Sequence, residues 1–207
     1  MLLENCSWIV TQNAKREILR DRDVLVEGDK IAGIGLNLDK SGKVIDCSGK
    51  VLLPGLINSH THLAMTLFRG YADDMLLQDW LQSKIWPLEA KLKEGDVYHG
   101  SLLGTLELIK SGVTSFHDMY FFGRGVKKAS EESGVRAFFS QGILDYPTAE
   151  FKNAEEALNL FKGLVRRKSE LFTPTLGTHS PYTCSEETLL KAKELARKNG
   201  STLHIHA

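Results

Sequence analysis

A chain of 207 residues can hold one or two domains, and 42% hydrophobic with 25% charged residues is typical of a globular protein with a buried core. The net charge is zero and no long basic run occurs, which argues against nucleic acid or an anionic membrane as the main partner. We expect no signal peptide and no membrane-spanning segment. Three widely separated cysteines, Cys6, Cys47 and Cys184, predict a reducing, cytoplasmic compartment rather than a disulfide framework.

The first part of the chain, residues 1–52, has the pattern of short strands and turns. Strands are predicted at residues 6–10, 23–27, 30–34 and 44–47. Gly28-Asp29 is typical of a tight turn between two of them. We therefore assign this part to a small antiparallel β-sandwich portion.

From residue 53 onward the pattern changes to strands that alternate with helices. Strands are predicted at residues 56–59, 113–119, 136–144, 171–177 and 202–206, with helices at 94–110, 125–133, 154–168 and 185–199. This α/β order predicts a parallel sheet, either doubly wound or part of an eight-stranded barrel. Because the sequence stops at a strand end without the following helix, we expect a TIM-type (β/α)8 barrel truncated after its first five strands.

Histidines lie where several of these strands end. His60 and His62 are two residues apart on the first strand and therefore share a face, but this spacing alone also fits exposed or hydrogen-bonded histidines. His204 and His206 share a face of the fifth strand, and His179 closes the fourth. Since a barrel has its active site at the carboxyl ends of its strands, we predict that His206 is a third metal ligand and that His204 is packed or supports a ligand.

For the other residues that could take part in catalysis or binding, the sequence favours structural roles. His99 lies in a helix and is expected to be solvated, and His117 is expected to make a core hydrogen bond. Cys184 follows His179 closely, but a buried thiol is a better interpretation than a nucleophile pair. Three aromatic residues after the first strand either line a pocket or pack in the core: Phe68, Trp80 and Trp86.

Several motifs of the chain form a recognisable set: residues 53–62 (LPGLINSHTH), 66–70 (TLFRG), 85–89 (IWPLE), 118–120 (DMY) and 179–182 (HSPY). Together they resemble the amidohydrolase superfamily, and more narrowly its 5-methylthioadenosine/S-adenosylhomocysteine deaminase branch. The similarity extends from the N-terminal strands to the last residue. It implies a barrel that begins at residue 53 and a β-sandwich built from both chain termini.

The resemblance also implies the site residues. His60, His62 and His206 would hold one divalent metal, Glu89 would bind the ribose hydroxyls of a nucleoside, and His179 would be a catalytic residue that contacts the substrate beside the metal. A glutamate three residues after His206, a sixth-strand histidine and an eighth-strand aspartate would complete the site beyond residue 207. We therefore expect residues 1–207 alone to be inactive.

One departure from that branch concerns the substrate. Members that process S-adenosylhomocysteine have an arginine near the end of the third strand, where this chain has Ser140-Gln141-Gly142. We predict that Gln141 contacts the substrate, although an amide cannot form a charged bidentate pair with a carboxylate. The departure favours methylthioadenosine, 5′-deoxyadenosine or adenosine.

The predicted reaction is hydrolytic deamination. A divalent ion lowers the pKa of its bound water to about 7, and the hydroxide would attack C6 of the purine and release ammonia. Zinc is the expected ion, with iron or manganese as alternatives. A dihydropyrimidinase-like enzyme would have two metals bridged by a fourth-strand lysine, and residues 172–178 contain none. Guanine or cytosine deaminases, triazine aminohydrolases and a non-catalytic barrel scaffold remain alternatives, and a homo-oligomer is compatible with the sequence.

Overall fold

The chain folds into two compact units, Met1–Gly55 and Leu56–Ala207, each with its own five-stranded sheet. The computed structural model describes residues 1–39 and 42–206. Within these described ranges, no helix has the length and apolar character needed to cross a membrane.

The first unit contains strands β1 (Leu2–Val10), β2 (Ile18–Glu27), β3 (Lys30–Gly35), β4 (Val44–Asp46) and β5 (Val51–Leu52). The predicted antiparallel pairing is confirmed for β1, β2 and β3, whereas β4 and β5 run parallel to β1. Gly28 adopts a φ of +59° in the turn between β2 and β3. Strand β2 begins earlier than predicted, at Ile18, because the charged residues at positions 20–23 interrupt the apolar pattern from which strands are predicted.

Two cysteines that are distant in sequence are neighbours in the small core of this unit. Cys6 and Cys47 pack there with Ile9 and Val24. Both are free thiols, and burial together with the neighbouring Cys47 raises the pKa of Cys6 to about 11. The thiol form therefore predominates at neutral pH.

The second unit contains five parallel strands: β6 (Leu56–Thr61), β7 (Val113–Tyr120), β8 (Arg136–Ile143), β9 (Phe172–Thr178) and β10 (Leu203–Ile205). The helices are α1 (Leu77–Trp80), α2 (Trp86–Glu89), α3 (Glu94–Lys110), α4 (Gly123–Ser133), α5 (Ala154–Val165) and α6 (Glu186–Lys198). A 3-10 helix spans Leu63–Phe68, and a π-helical turn, Leu81–Ile85, joins α1 to α2.

The strand order decides between the two predicted architectures. The sheet runs β10-β9-β8-β7-β6, so that strands consecutive in sequence are also neighbours in space. In a doubly wound sheet the order would reverse at a switch point, whereas a barrel keeps the sequential order. The second unit is therefore half of a TIM-type barrel, as the sequence predicts.

The two faces of this sheet carry different side chains. Phe116, Phe139 and Phe172 are fully buried in the core that the sheet forms with its helices. Neighbouring positions on the same strands, such as Ser140 and Thr175, face the interior of the half barrel and bond there to histidines. Because side chains alternate along a strand, the apolar residues of the outer face and the polar residues of the interior face can come from the same strands.

Candidate metal centre and adjoining cavity

Three histidines meet at the carboxyl end of the parallel sheet. His60 and His62 come from the end of β6, and His206 directly follows β10. One ring nitrogen of each lies within 4.8 Å of those of the other two. The structure therefore brings together the residues that the sequence predicts as metal ligands, although they come from opposite edges of the sheet.

Backbone carbonyls orient two of these rings. His62 Nδ1 is 2.7 Å from the carbonyl oxygen of Met119, and His206 Nδ1 is 2.8 Å from that of His179. A carbonyl oxygen only accepts, so each Nδ1 donates its proton, and in the neutral form of the ring Nε2 keeps a lone pair. The third ring, that of His60, presents Nε2 to His206 Nε2 at 3.2 Å.

The distance between these two Nε2 atoms fits a shared metal ion. Two nitrogens bound to one tetrahedral zinc at about 2.0–2.1 Å are roughly 3.3 Å apart. Burial and His206 lower the pKa of His60, and burial, His206 and His60 lower that of His62 to about 4. Neutral imidazoles with converging lone pairs are suited to a divalent cation.

His179 lies beside this cluster at the end of β9. Its ring centroid is 4.9 Å from that of His206, and its Nδ1 contacts the Thr183 hydroxyl at 2.9 Å and the Ser180 hydroxyl at 3.2 Å. Burial, then His206 and His62, lower the pKa of His179 to about 4. His179 is thus neutral, and hydroxyl groups hold its Nδ1. Its ring lies beside the histidine cluster and lines the adjoining cavity.

The histidine cluster adjoins a cavity of about 580 Å³. His62 and His179 form part of its wall, together with aromatic and aliphatic side chains. These include Trp80, Trp86, Tyr120, Phe121, Leu144, Tyr146 and Tyr182. None of the described residues that line the cavity is a lysine or arginine. The volume and lining suit a small molecule with an uncharged body.

Glu89 provides the acidic group of this cavity wall. Glu89 is the last residue of α2, and the side chain of Tyr120 is its neighbour. Burial raises the pKa of the Glu89 carboxyl to about 7. Burial and the Glu89 charge in turn raise the pKa of the Tyr120 hydroxyl. A carboxyl in this setting can accept hydrogen bonds from hydroxyl groups of a bound ligand.

The predicted contact between Gln141 and a substrate is not supported by the geometry. Ser140 and Gly142 face the interior of the half barrel, so Gln141 between them points to the helix side. Its side chain is fully buried, donates to the Glu150 carboxylate at 3.0 Å and does not line the cavity. Gln141 therefore does not belong to the candidate site.

Other residues lie where the sequence suggests. His99 is exposed on α3 and its Nδ1 donates to the Gly95 carbonyl, and His117 bonds to hydroxyls in the core. Cys184 is buried and donates to the Ile143 carbonyl. Trp80 and Trp86 line the cavity, and Phe68 does not.

The sequence reasoning missed Asp118, which anchors the segment after His62. Its fully buried carboxylate accepts from the Leu63 backbone N–H at 3.0 Å, and burial raises its pKa to about 7. Asp118 lies on the face of β7 opposite to that of His117. The presence of an acidic residue at an otherwise apolar position of a strand could have identified Asp118 from the sequence.

The amidohydrolase family model matches residues 51–207. The chain is 46% identical over 202 residues to a 5′-deoxyadenosine deaminase of Methanocaldococcus jannaschii, covering 94% of this chain and 46% of the relative. It is 43% identical to a 5-methylthioadenosine/S-adenosylhomocysteine deaminase of Thermodesulfovibrio yellowstonii, covering 96% of this chain and 48% of the relative.

A solved structure is also similar throughout the chain. It is an adenosine deaminase from Xanthomonas campestris with bound zinc, with a TM-score of 0.86 and 29% identity, covering 100% of this chain and 48% of the other. The chain spans about half the length of the curated relatives it matches. From its sequence motifs, its half barrel and the family match over residues 51–207, the chain belongs to the amidohydrolase family.

Proposed function

We propose that the full-length protein is a metal-dependent hydrolase that deaminates adenosine-type nucleosides. The observation that carries the proposal is the convergence of His60, His62 and His206 beside a nucleoside-sized cavity, which His62 helps to line. The named relatives, a 5′-deoxyadenosine deaminase and a 5-methylthioadenosine/S-adenosylhomocysteine deaminase, support the substrate class.

His60, His62 and His206 would hold the ion, for which zinc is proposed because imidazole nitrogens suit it and the similar adenosine deaminase is described with zinc. When bound, this ion supplies an activated water for hydrolysis. His179, held at Nδ1 by hydroxyls, contacts the purine beside the ion. Glu89 accepts from the ribose hydroxyls and orients the nucleoside, and the aromatic side chains exclude bulk water.

The cavity lining favours some of these nucleosides over others. An amino-acid carboxylate, as in S-adenosylhomocysteine, needs a cationic partner when it is removed from water. No described lining residue offers a positive charge, and the aromatic wall suits a deoxy or methylthio group. We therefore propose 5′-deoxyadenosine and 5-methylthioadenosine as better substrates than S-adenosylhomocysteine.

Ammonia release by the purified full-length protein tests this proposal. We expect kcat/KM for the two uncharged nucleosides to exceed that for S-adenosylhomocysteine by about tenfold or more, since a lost charge-assisted hydrogen bond costs about 1.5–3 kcal/mol. Adenosine, guanine and cytosine complete the panel. A preference for guanine, cytosine or S-adenosylhomocysteine would refute the proposed specificity.

Elemental analysis separates an enzyme from a non-catalytic scaffold. We expect stoichiometric zinc in the wild type, loss of zinc and activity in His62→Ala, and retention of both in His99→Ala, since His99 is an exposed helix residue. A wild-type protein without bound metal would favour the scaffold.

We further propose a reducing, cytoplasmic setting for the protein. The three cysteines are all free and buried, which is compatible with such a compartment.

A further inference from the structure

A layer of polar side chains lies inside the half barrel next to the proposed metal ligands. We define this polar layer as His117 on β7, Ser140 on β8, Thr175 on β9 and His204 on β10. All four are linked by hydrogen bonds of 2.7–3.3 Å. Four adjacent strands each contribute one hydrogen-bonding side chain to a region that apolar residues could otherwise fill.

A hydrogen bond connects the polar layer to one of the proposed metal ligands. His204 Nε2 lies 2.8 Å from His60 Nδ1, and their rings meet edge to face with centroids 4.8 Å apart. The other nitrogen of His60, Nε2, is the one that faces His206. His60 is the one proposed ligand whose Nδ1 bonds to another side chain, since backbone carbonyls hold Nδ1 of His62 and His206.

Proton positions follow from this connection. An ion on His60 Nε2 requires the proton of the neutral ring to lie on Nδ1, which must then donate to His204 Nε2. A neutral His204 that accepts at Nε2 carries its own proton on Nδ1, which is 3.3 Å from the Ser140 hydroxyl. Each hydrogen bond thereby determines the direction of the next.

The remaining hydrogen bonds of the polar layer can be given donors and acceptors that agree with this assignment. The Ser140 hydroxyl, which accepts from His204, can donate to Thr175 Oγ1 at 2.7 Å. A proton on His117 Nε2 then lies between the Ser140 hydroxyl oxygen at 2.9 Å and that of Thr175 at 3.0 Å, so each of these contacts has a donor. The layer is therefore compatible with the tautomer of His60 that binds a metal.

We propose that His204 is a positioning residue that sets the tautomer and the orientation of the metal ligand His60, with the rest of the polar layer fixing His204 in turn. The inference rests on the proposed metal site but not on the proposed substrate. Loss of such a supporting partner typically lowers metal affinity by about 10–100-fold.

Zinc titration of the metal-stripped full-length protein against a chromophoric chelator tests the proposal. In His204→Phe the ring fills the space but cannot accept, and we expect zinc affinity to fall by about 10–100-fold. In His204→Gln the amide oxygen can accept from His60 Nδ1, and we expect affinity within about threefold of the wild type. His99→Gln, a change at the exposed histidine of α3, is the matched control and should bind as the wild type does.

The outcomes are distinguishable. If the wild type binds zinc and folded His204→Phe binds it equally well, the positioning role is wrong while the metal site stands. If His204→Gln is as weak as His204→Phe, His204 acts through its shape and the proposal is also wrong. A wild type that binds no zinc overturns both the metal site and this inference.

Nuclear magnetic resonance of the wild type gives an answer even if His204→Phe does not fold. With ¹⁵N-labelled histidine and bound zinc, we expect the His60 ring to bind through Nε2 and to show a slowly exchanging Nδ1 proton. Metal on His60 Nδ1, or rapid exchange of its Nδ1 proton, would overturn the proposal.

Discussion

Substitution of Glu89 by glutamine is expected to stabilise the protein at alkaline pH while it weakens nucleoside binding. Burial raises the pKa of this carboxyl from an ordinary value of 4.5 to about 7. Ionising Glu89 in the folded protein therefore costs about 3 kcal/mol more than in the unfolded chain, at about 1.4 kcal/mol for each tenfold change in the ionisation constant. Because the cavity admits water, we expect a measured difference of about 1–3 kcal/mol.

The direction of the pH dependence follows from proton binding. Between pH 4.5 and pH 7 the folded protein holds a proton on Glu89 that the unfolded chain has released, so Glu89 contributes stability below pH 4.5 that is lost as the pH rises through about 7. Glutamine cannot ionise, so the variant should lack this loss. Relative to the wild type, Glu89→Gln should therefore gain stability between pH 5 and pH 8.

Denaturant unfolding of both proteins at pH 5 and pH 8 measures this difference. Comparing the variant with the wild type at each pH cancels the titration of the buried histidines. Glu170→Gln, a change of an exposed glutamate, is the control and should alter stability by less than about 0.5 kcal/mol at either pH. If Glu89→Gln is no more stable than the wild type at pH 8, the buried, ionisable state of Glu89 is refuted. The same variant should raise KM for the nucleoside, since a neutral amide is a weaker acceptor than a carboxylate.

Three further predictions concern packing and helix ends. Gly100→Ala on α3 should cost about 1–3 kcal/mol, because a Cβ there would lie 2.6 Å from the carbonyl oxygen of Ala64, and chemical unfolding should show it. Gly163→Ala on α5 meets open space and should instead stabilise by about 0.5–1 kcal/mol, and equal effects of the two changes would contradict the packing described here. Ser185→Ala removes the side chain that accepts from the Thr188 backbone N–H at the start of α6, and its melting temperature should fall by the equivalent of about 1 kcal/mol.

The five strands and the four long helices of the second unit could be predicted because their signals are local, whereas the short helical segments between residues 63 and 89 were not predicted. Helix α6 begins after Ser185 and α3 is followed by Gly112 with a φ of +77°, and each is a residue type suited to that position. The alternation of strands and helices was compatible with both a doubly wound sheet and a barrel, and the sequential strand order identifies the barrel. Strand pairing in the first unit was less accessible, since the parallel partners of β1 follow it at long range.

The candidate site was predictable where it depends on alternation along one strand. His60 and His62 share a face because they are two residues apart, and His206 lies at a strand end where a barrel has its active site. The same alternation places Gln141 on the outer face, because its neighbours Ser140 and Gly142 face inward. The predicted contact with a substrate came from the family resemblance and not from this alternation. The structure places that side chain against Glu150.

By itself, the sequence determined the five parallel strands of the second unit, that His60 and His62 share a face, and that histidines lie at the ends of several strands. Only the tertiary structure decided that His204 contacts His60, that Glu89 lies in an apolar cavity, and that Gln141 is directed away from it. The physical reason is that alternation and capping act within a few neighbouring residues. The contact between His60 and His204, by contrast, depends on the register and curvature of five strands together.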